Sequence, residues 1–307
     1  MKLEVKIGRL TLKNPVTVAS GTFGYAFEFE DLVNLNSLGA IVTKTITRMP
    51  KPGNAQPRLA ETPAGMLNAI GLQNEGLDNF IRVKLPKLRK IKTRIIVSIS
   101  GVSTEDYVYC AKMLEAAGVE ALELNLSCPN VQYNLAGNKK SMMFAQDAQA
   151  TYELVHEVCR STKCLVISKL SPNVTDIVEI AKAAEEAGSD ALSLVNTLLG
   201  MAIDIETFSP KLANITGGLS GPAIKPVALR MVYEVCKAVE IPVIGMGGIA
   251  SAEDALEFMI AGASAVSIGT ASFVNPSAAI EVIEGLKKFG REKGFKNINE
   301  IIGRVRK

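Results

Sequence analysis

One segment pattern recurs four times along the chain and limits the fold more than any other feature. A helical pattern closes on a small residue or Leu followed by Gly, and after a short linker a β-rich run begins. The copies are Ser37-Leu-Gly-Ala-Ile-Val-Thr-Lys44, Ala116-Ala-Gly-Val-Glu-Ala-Leu-Glu-Leu-Asn125, Glu186-Ala-Gly-Ser-Asp-Ala-Leu-Ser-Leu-Val195 and Ile260-Ala-Gly-Ala-Ser-Ala-Val-Ser-Ile-Gly269. Gly39, Gly118, Gly188 and Gly262 are each expected in the left-handed position just past a helix, which costs a residue with a Cβ more. Four more short runs, Val16 to Ala19, Ile95 to Ile99, Leu165 to Lys169 and Val243 to Met246, read as buried strands followed by turn chemistry. Helical patterns lie between them at Thr104 to Ala117, Asp147 to Ser161, Val174 to Ala187, Lys225 to Val239 and Ser251 to Ala261.

The sum is eight βα units. A chain of 307 residues could hold two domains of roughly 150 residues, but a single α/β barrel also reaches this size. Strands alternating with helices imply a parallel sheet, and eight units favour a closed (β/α)8 TIM barrel over an open doubly wound sheet, with residues 1–307 as one domain. The alternation from Leu3 to Leu12 around Gly8-Arg9 predicts an N-terminal β-hairpin outside the barrel. Two βα connections, Ile46 to Glu75 and Asn196 to Pro222, are too long for plain loops and are read as βα-loop insertions at the end where barrels build their sites.

Composition removes several chemistries. The chain has a single histidine, His156, so a two- or three-His metal site cannot be built and a Ser-His-Asp triad would have to use that residue. His156 shares the polar side of its helical pattern with Glu153, Glu157 and Arg160, which predicts a solvated surface residue. Cys110, Cys128, Cys159, Cys164 and Cys236 are odd in number and lack CxxC spacing, against both a disulfide framework and an iron–sulfur or zinc site. Thirty-four Lys+Arg against 31 Asp+Glu is too balanced for a nucleic-acid binder. The first residues alternate apolar and charged side chains instead of forming a signal peptide, and no stretch reaches the ~18 uninterrupted apolar residues of a bilayer span. A cytoplasmic protein with no membrane or nucleic-acid partner is expected.

The strand ends concentrate polar residues on an apolar scaffold: Ser20, Lys44, Ser98, Asn125, Lys169, Asn196, Gly247-Gly248 and Gly269-Thr270. A strand buried on both faces can end in lysine or asparagine only where these meet a polar ligand or each other. The last two strands run into Gly-Met-Gly-Gly and Ile-Gly-Thr, and glycines after strands 7 and 8 let backbone N–H groups approach a phosphate. That phosphate could belong to a substrate or to a flavin mononucleotide. Lys169 must end near negative charge, either a neighbouring carboxylate or a reduced flavin ring. Asn68, Asn125, Asn130 and Asn196 offer donors and acceptors without charge, suited with Lys44 to a small, flat, anionic ring bearing amide groups. Cys110, Cys159, Cys164 and Cys236 read as small core residues. Cys128 instead opens a polar loop, where a thiol of ordinary pKa ~8.5 would serve as a base after modest tuning.

The same residues carry a family resemblance. The stretches Ala19-Ser-Gly-Thr-Phe-Gly24, Thr43-Lys-Thr45, Asn68-Ala-Ile-Gly-Leu-Gln-Asn74, Leu124-Asn-Leu-Ser-Cys-Pro-Asn130, Ser168-Lys-Leu-Ser-Pro172, Asn196-Thr197, Gly217-Gly-Leu-Ser-Gly-Pro222 and Gly247-Gly248 span nearly the whole chain in order. Together they resemble class 1 dihydroorotate dehydrogenases, the FMN barrels of pyrimidine biosynthesis. Cysteine at 128, where class 2 has serine, looks like class 1, and the runs from Asn196 to Glu206 and Thr216 to Pro226 look like its NAD-linked 1B branch. Two positions depart from the pattern: Ser98 stands where family members often have Asn near the flavin, and the loop from Val131 to Lys140 lacks the Gly-Gly pair common in 1B.

The resemblance implies that Cys128 removes the C5 proton of dihydroorotate while C6 delivers hydride to flavin N5, giving orotate. It implies substrate contacts from Lys44, Asn68, Asn125 and Asn196-Thr197, with Ala69, Ile70, Gly71 and Leu72 contributing backbone. One FMN per chain would be held by Ser20, Lys44, Thr45, Ser98, Asn125, Lys169, Val195, Gly221, Gly247, Gly248, Gly269 and Thr270. It implies too an electron-transfer subunit carrying FAD and a [2Fe–2S] cluster, which this chain's scattered cysteines could not bind, in a heterotetramer of two catalytic and two electron-transfer subunits. The competing readings are a class 1A-like enzyme with another acceptor such as fumarate, another pyrimidine-reducing flavin barrel, a flavin-free phosphate-binding barrel, and a non-catalytic scaffold.

Overall fold

Eight short parallel strands close on themselves in the computed structural model, which describes residues 1–126 and 144–306. We number them β1 (Val16–Val18), β2 (Ala40–Val42), β3 (Arg94–Ile99), β4 (Ala121–Asn125), β5 (Leu165–Lys169), β6 (Ala191–Leu194), β7 (Val243–Met246) and β8 (Ala265–Ile268). Each pairs with the next, and β8 returns to β1 with Ser267 opposite Thr17. Apart from the first residues of β3 every strand position is buried, because helices cover the outer face and side chains fill the interior. The predicted TIM barrel is therefore the fold, and the hairpin Val5–Ile7 with Leu10–Leu12 stands outside it as expected.

The outer helices follow from apolar spacing and caps. Helix Ile177–Glu186 buries Ile177, Ile180, Ala181 and Ala184, the i, i+3, i+4, i+7 stripe of a helix facing a core. It starts three residues later than the sequence suggests because Asp176 caps it, accepting from Val178 N. Ser251 and Asp254 form a capping box at the start of Ala252–Ala261. Helix Lys225–Cys236 is shorter than its apolar pattern, which runs on to Val239.

The two insertions do not form separate loops. Leu59–Thr62 and Gly65–Asn68 from the first pair with Thr216–Ser220 and Leu198–Met201 from the second in one antiparallel four-stranded sheet. Asn68 lies opposite Gly218 and donates through Nδ2 to its carbonyl at 3.2 Å, which ties together segments 150 residues apart. Long loops are thus fixed in place beside the C-terminal ends of the barrel strands.

One glycine departs from expectation. Gly118, Gly188 and Gly262 have positive φ, as the repeat implies, but Gly39 does not. Its constraint is contact: a Cβ there would lie 2.1 Å from the Asn14 carbonyl oxygen and 2.9 Å from that of Val16. At Gly188, by contrast, the nearest atom to a Cβ is 3.7 Å away and only the backbone conformation (φ 99°) resists substitution. Gly188→Ala should therefore cost roughly 1–2 kcal/mol and Gly39→Ala more, about 3 kcal/mol, since backbone must move at the start of β2. Urea denaturation of the two variants checks this, and equal midpoints would contradict it.

Candidate active site

A cavity of about 770 Å³ opens at the C-terminal ends of the strands, within the size range of cofactor and substrate sites. Of the sequence-predicted residues, Ser20, Lys44, Thr45, Asn68, Ile70, Gly71, Leu72, Asn125, Lys169, Val195, Asn196, Thr197, Gly221, Gly247, Gly248, Gly269 and Thr270 all line it. Two do not. Ala69 is fully buried behind the wall, its carbonyl accepting from Asn54 Nδ2 at 3.0 Å. Ser98 sits inside β3 and not at its end, so its hydroxyl reaches Thr45 Oγ1 (2.9 Å) and not the cavity. Cys128, Asn130 and the loop of residues 131–140 lie outside the described residues.

The polar wall is a connected network. Thr45 Oγ1 meets Ser20 Oγ at 2.9 Å, Ser98 Oγ at 2.9 Å and the Asn125 Nδ2 donor at 3.1 Å. Asn196 Nδ2 donates to Asn125 Oδ1 at 3.4 Å, and Asn196 Oδ1 accepts from Thr197 N at 2.8 Å. Tyr107 Oη donates to the Asn125 carbonyl at 2.8 Å, fixing the end of β4 from behind. Side chains so tied have few rotamers to lose on binding, which is how a site is preorganised.

Three cations line the cavity with this network. Lys44, two residues past β2, is half-buried, and its pKa is pushed below the usual lysine value by burial and then by the Arg58 guanidinium. Arg58 also lines the cavity and is held by Gln73, whose Oε1 accepts from Nη2 at 2.6 Å. Lys169 ends β5 with only 4% of its surface exposed, and its Nζ lies 3.8 Å from Glu123 Oε1. The carboxylate partner weighed from the sequence is thus present, and the same ammonium lines the cavity.

Another part of the lining is backbone. Gly247 and Gly248 have φ of 121° and 81°, and a Cβ on either would come within 2.7 Å of Ala228 Cβ or Lys225 Cβ. Thr270 Oγ1 donates to Ser220 Oγ at 2.8 Å, joining the turn after β8 to the inserted sheet. Leu72 holds φ at 56°, a left-handed backbone that costs a non-glycine roughly 1–2 kcal/mol. Such strain clusters at ligand sites.

The remaining candidates fall elsewhere. His156 is half-buried and stacked on Tyr152 with ring centroids 5.4 Å apart, more sheltered than a solvated residue and outside the cavity wall. Cys110 and Cys164 are buried, Cys159 and Cys236 half-buried. Burial pushes the thiols of Cys110, Cys159 and Cys236 up to about 12 and raises that of Cys164. None of these four is a base at neutral pH. Sequence reasoning missed Arg58 and Glu123: the first lies in an insertion without periodicity, while the second was visible as a lone carboxylate among the apolar residues of β4.

The sequence matches the family model described as dihydroorotate dehydrogenase over residues 2–289. The chain belongs to the dihydroorotate dehydrogenase family. Among relatives of this family, a protein of Thermoanaerobacter sp. (strain X514) is 54% identical over 306 residues, covering 100% of this chain and 99% of its own. One of Desulforamulus reducens is 55% identical over 304 residues (99% and 98%), and one of Bacteroides thetaiotaomicron 51% over 302 residues (98% and 98%). All three bear the name dihydroorotate dehydrogenase B (NAD(+)), catalytic subunit. Among the described residues of this dihydroorotate dehydrogenase-family chain, no helix is long and apolar enough to cross a membrane, and no group of three or more His, Cys, Asp or Glu could hold a metal ion.

Proposed function

We propose that the chain oxidises dihydroorotate to orotate at this cavity, with FMN as its cofactor. The observation that carries the reading is the convergence on one cavity of Lys44, Asn68, Asn125 and Asn196 with the buried Lys169 and the Gly247-Gly248 turn. These residues suit the cofactor: the Gly247-Gly248 turn, with no side chains of its own, packs closely on Ala228 and Lys225 and brings bare backbone to the cavity for a phosphate, and the Lys169 ammonium suits the pyrimidine edge of a flavin. Bound there, FMN supplies the hydride acceptor for C6 of the substrate.

The chain's own residues do the rest. Lys44 pairs with the substrate carboxylate, while the amides of Asn68, Asn125 and Asn196 meet the ureide edge, Asn125 and Asn196 oriented by their bond to each other and Asn68 by its bond to the Gly218 carbonyl. Cys128 takes the proton from C5; with one histidine held away from the cavity and four thiols too basic, it is the thiol left for this role. The relatives' name, with its NAD(+) and its catalytic subunit, supports a chain that passes electrons to NAD through a partner; the family resemblance adds that this partner bears FAD and a [2Fe–2S] cluster, with two of each subunit per assembly.

Two measurements test these roles. Cys128→Ala should retain FMN yet lose at least ~10²-fold in single-turnover flavin reduction by dihydroorotate; an unchanged rate would disprove the base assignment. Because its pKa is lowered, Lys44 loses its charge at a lower pH than a free lysine. Orotate affinity should consequently fall as pH rises through that lowered value. Lys44→Ala should weaken orotate roughly tenfold or more at neutral pH and abolish the alkaline fall, whereas an unaltered titration curve would contradict the pairing.

A further inference from the structure

β4 carries a carboxylate in the middle of an apolar run. Glu123 lies between Leu122 and Leu124 and is 2% exposed. Oε2 accepts from Ser193 Oγ of β6 at 3.0 Å, but Oε1 has no hydrogen-bond partner among the described residues and stands 3.8 Å from Lys169 Nζ. A barrel interior is ordinarily filled by branched apolar side chains. A buried ion pair without full hydrogen bonding is weak evidence for stability and is often replaceable by apolar residues without loss. Stability therefore gives no reason for Glu123.

Its placement does. Lys169 lines the cavity and Glu123 does not, so the carboxylate stands behind the ammonium, on the barrel side of the site. An ammonium taken out of water turns back toward solvent unless a counter-charge holds it. Among the described residues, Glu123 is the acidic side chain within ion-pair distance of Lys169. Ser193 anchors the other carboxylate oxygen, so Glu123 cannot follow Lys169 toward the cavity.

We propose that Glu123 is a positioning residue for flavin redox chemistry: it holds the Lys169 ammonium in place beside the cavity, and through Lys169 it raises the midpoint potential of the bound flavin. The inference rests on the FMN reading above. The reduced ring carries more negative charge than the oxidised ring, so a fixed cation favours it selectively. Uniform binding of both forms would leave the potential where it is in water.

The test is a spectroelectrochemical titration of FMN-loaded protein in four forms: unmodified, Glu123→Gln, Lys169→Met and the double variant. Glu123→Gln and Lys169→Met should each weaken binding of reduced relative to oxidised flavin by about tenfold, a fall of about 30 mV in the two-electron potential. The double variant should lie no lower than Lys169→Met, because Glu123 acts through the lysine. Glu123→Asp, which keeps the charge but withdraws it by one methylene, should fall between unmodified protein and Glu123→Gln, and it carries the test if the Gln variant does not fold. A potential in Glu123→Gln, or in Glu123→Asp where that variant stands in for it, equal to or above that of the unmodified protein overturns the inference. So does an equal fall from Glu123→Gln in the Lys169→Met background. Unmodified protein that takes up no FMN defeats the FMN reading itself, and the inference with it.

Discussion

β8 lies beside β1, and the site depends on that pairing more than on any other contact. Once the sheet closes, no strand has a free edge and nearly every strand residue is buried, so polar side chains are costly along the strands and tolerable at their ends. Closure also brings together ends that are far apart in sequence. Lys44 after β2, Asn125 on β4, Lys169 on β5, Asn196 after β6 and Gly247-Gly248 after β7 become neighbours around one opening. A parallel sheet left open would spread the same residues along a line.

The inserted sheet turns that opening into a cavity. Gly65 and Gly221 approach so closely that a Cβ on Gly221 would lie 2.7 Å from Gly65 Cα, and Ser220 is bonded to Thr270 at the end of β8. Asn68 is thereby carried to the cavity by a strand that belongs to no barrel repeat. Beneath, the interior is unusually polar for a barrel: Glu123, Ser98, Ser193 and Ser267 are all buried, each at 2% exposure or less. Burying them lowers stability relative to an apolar filling, and in return side chains such as Thr45 and Lys169 are held from behind.

Much of this was legible in the sequence because it is local. The bounds read for Leu165–Lys169 and Val243–Met246 are those of β5 and β7, since β-branched and Leu-rich runs ended by turn residues leave little choice. The ring of strand ends followed once the strands were in order. Three features were not legible. The pairing of Asn68 with Gly218 joins segments with no shared periodicity, so nothing in either announces the other. Gly39 was assigned to a left-handed turn from its place in the repeat, whereas its requirement comes from the Asn14 carbonyl, a contact that only the folded chain creates. Ser98 was counted among the strand ends although Ile99 closes the strand as read and as found; its hydroxyl is taken up by Thr45, a partner from the turn after β2 that no local pattern announces.

In the proposed reaction the Gly247-Gly248 turn, the paired Lys169 and the ring of amides act together to let a hydride pass from a pyrimidine to a flavin. Anaerobic addition of dihydroorotate to the FMN-loaded chain, without any partner subunit, tests that claim most directly. The visible flavin absorbance should bleach with one orotate formed per flavin. A flavin band that persists with excess dihydroorotate, or a chain that takes up no FMN, would contradict it.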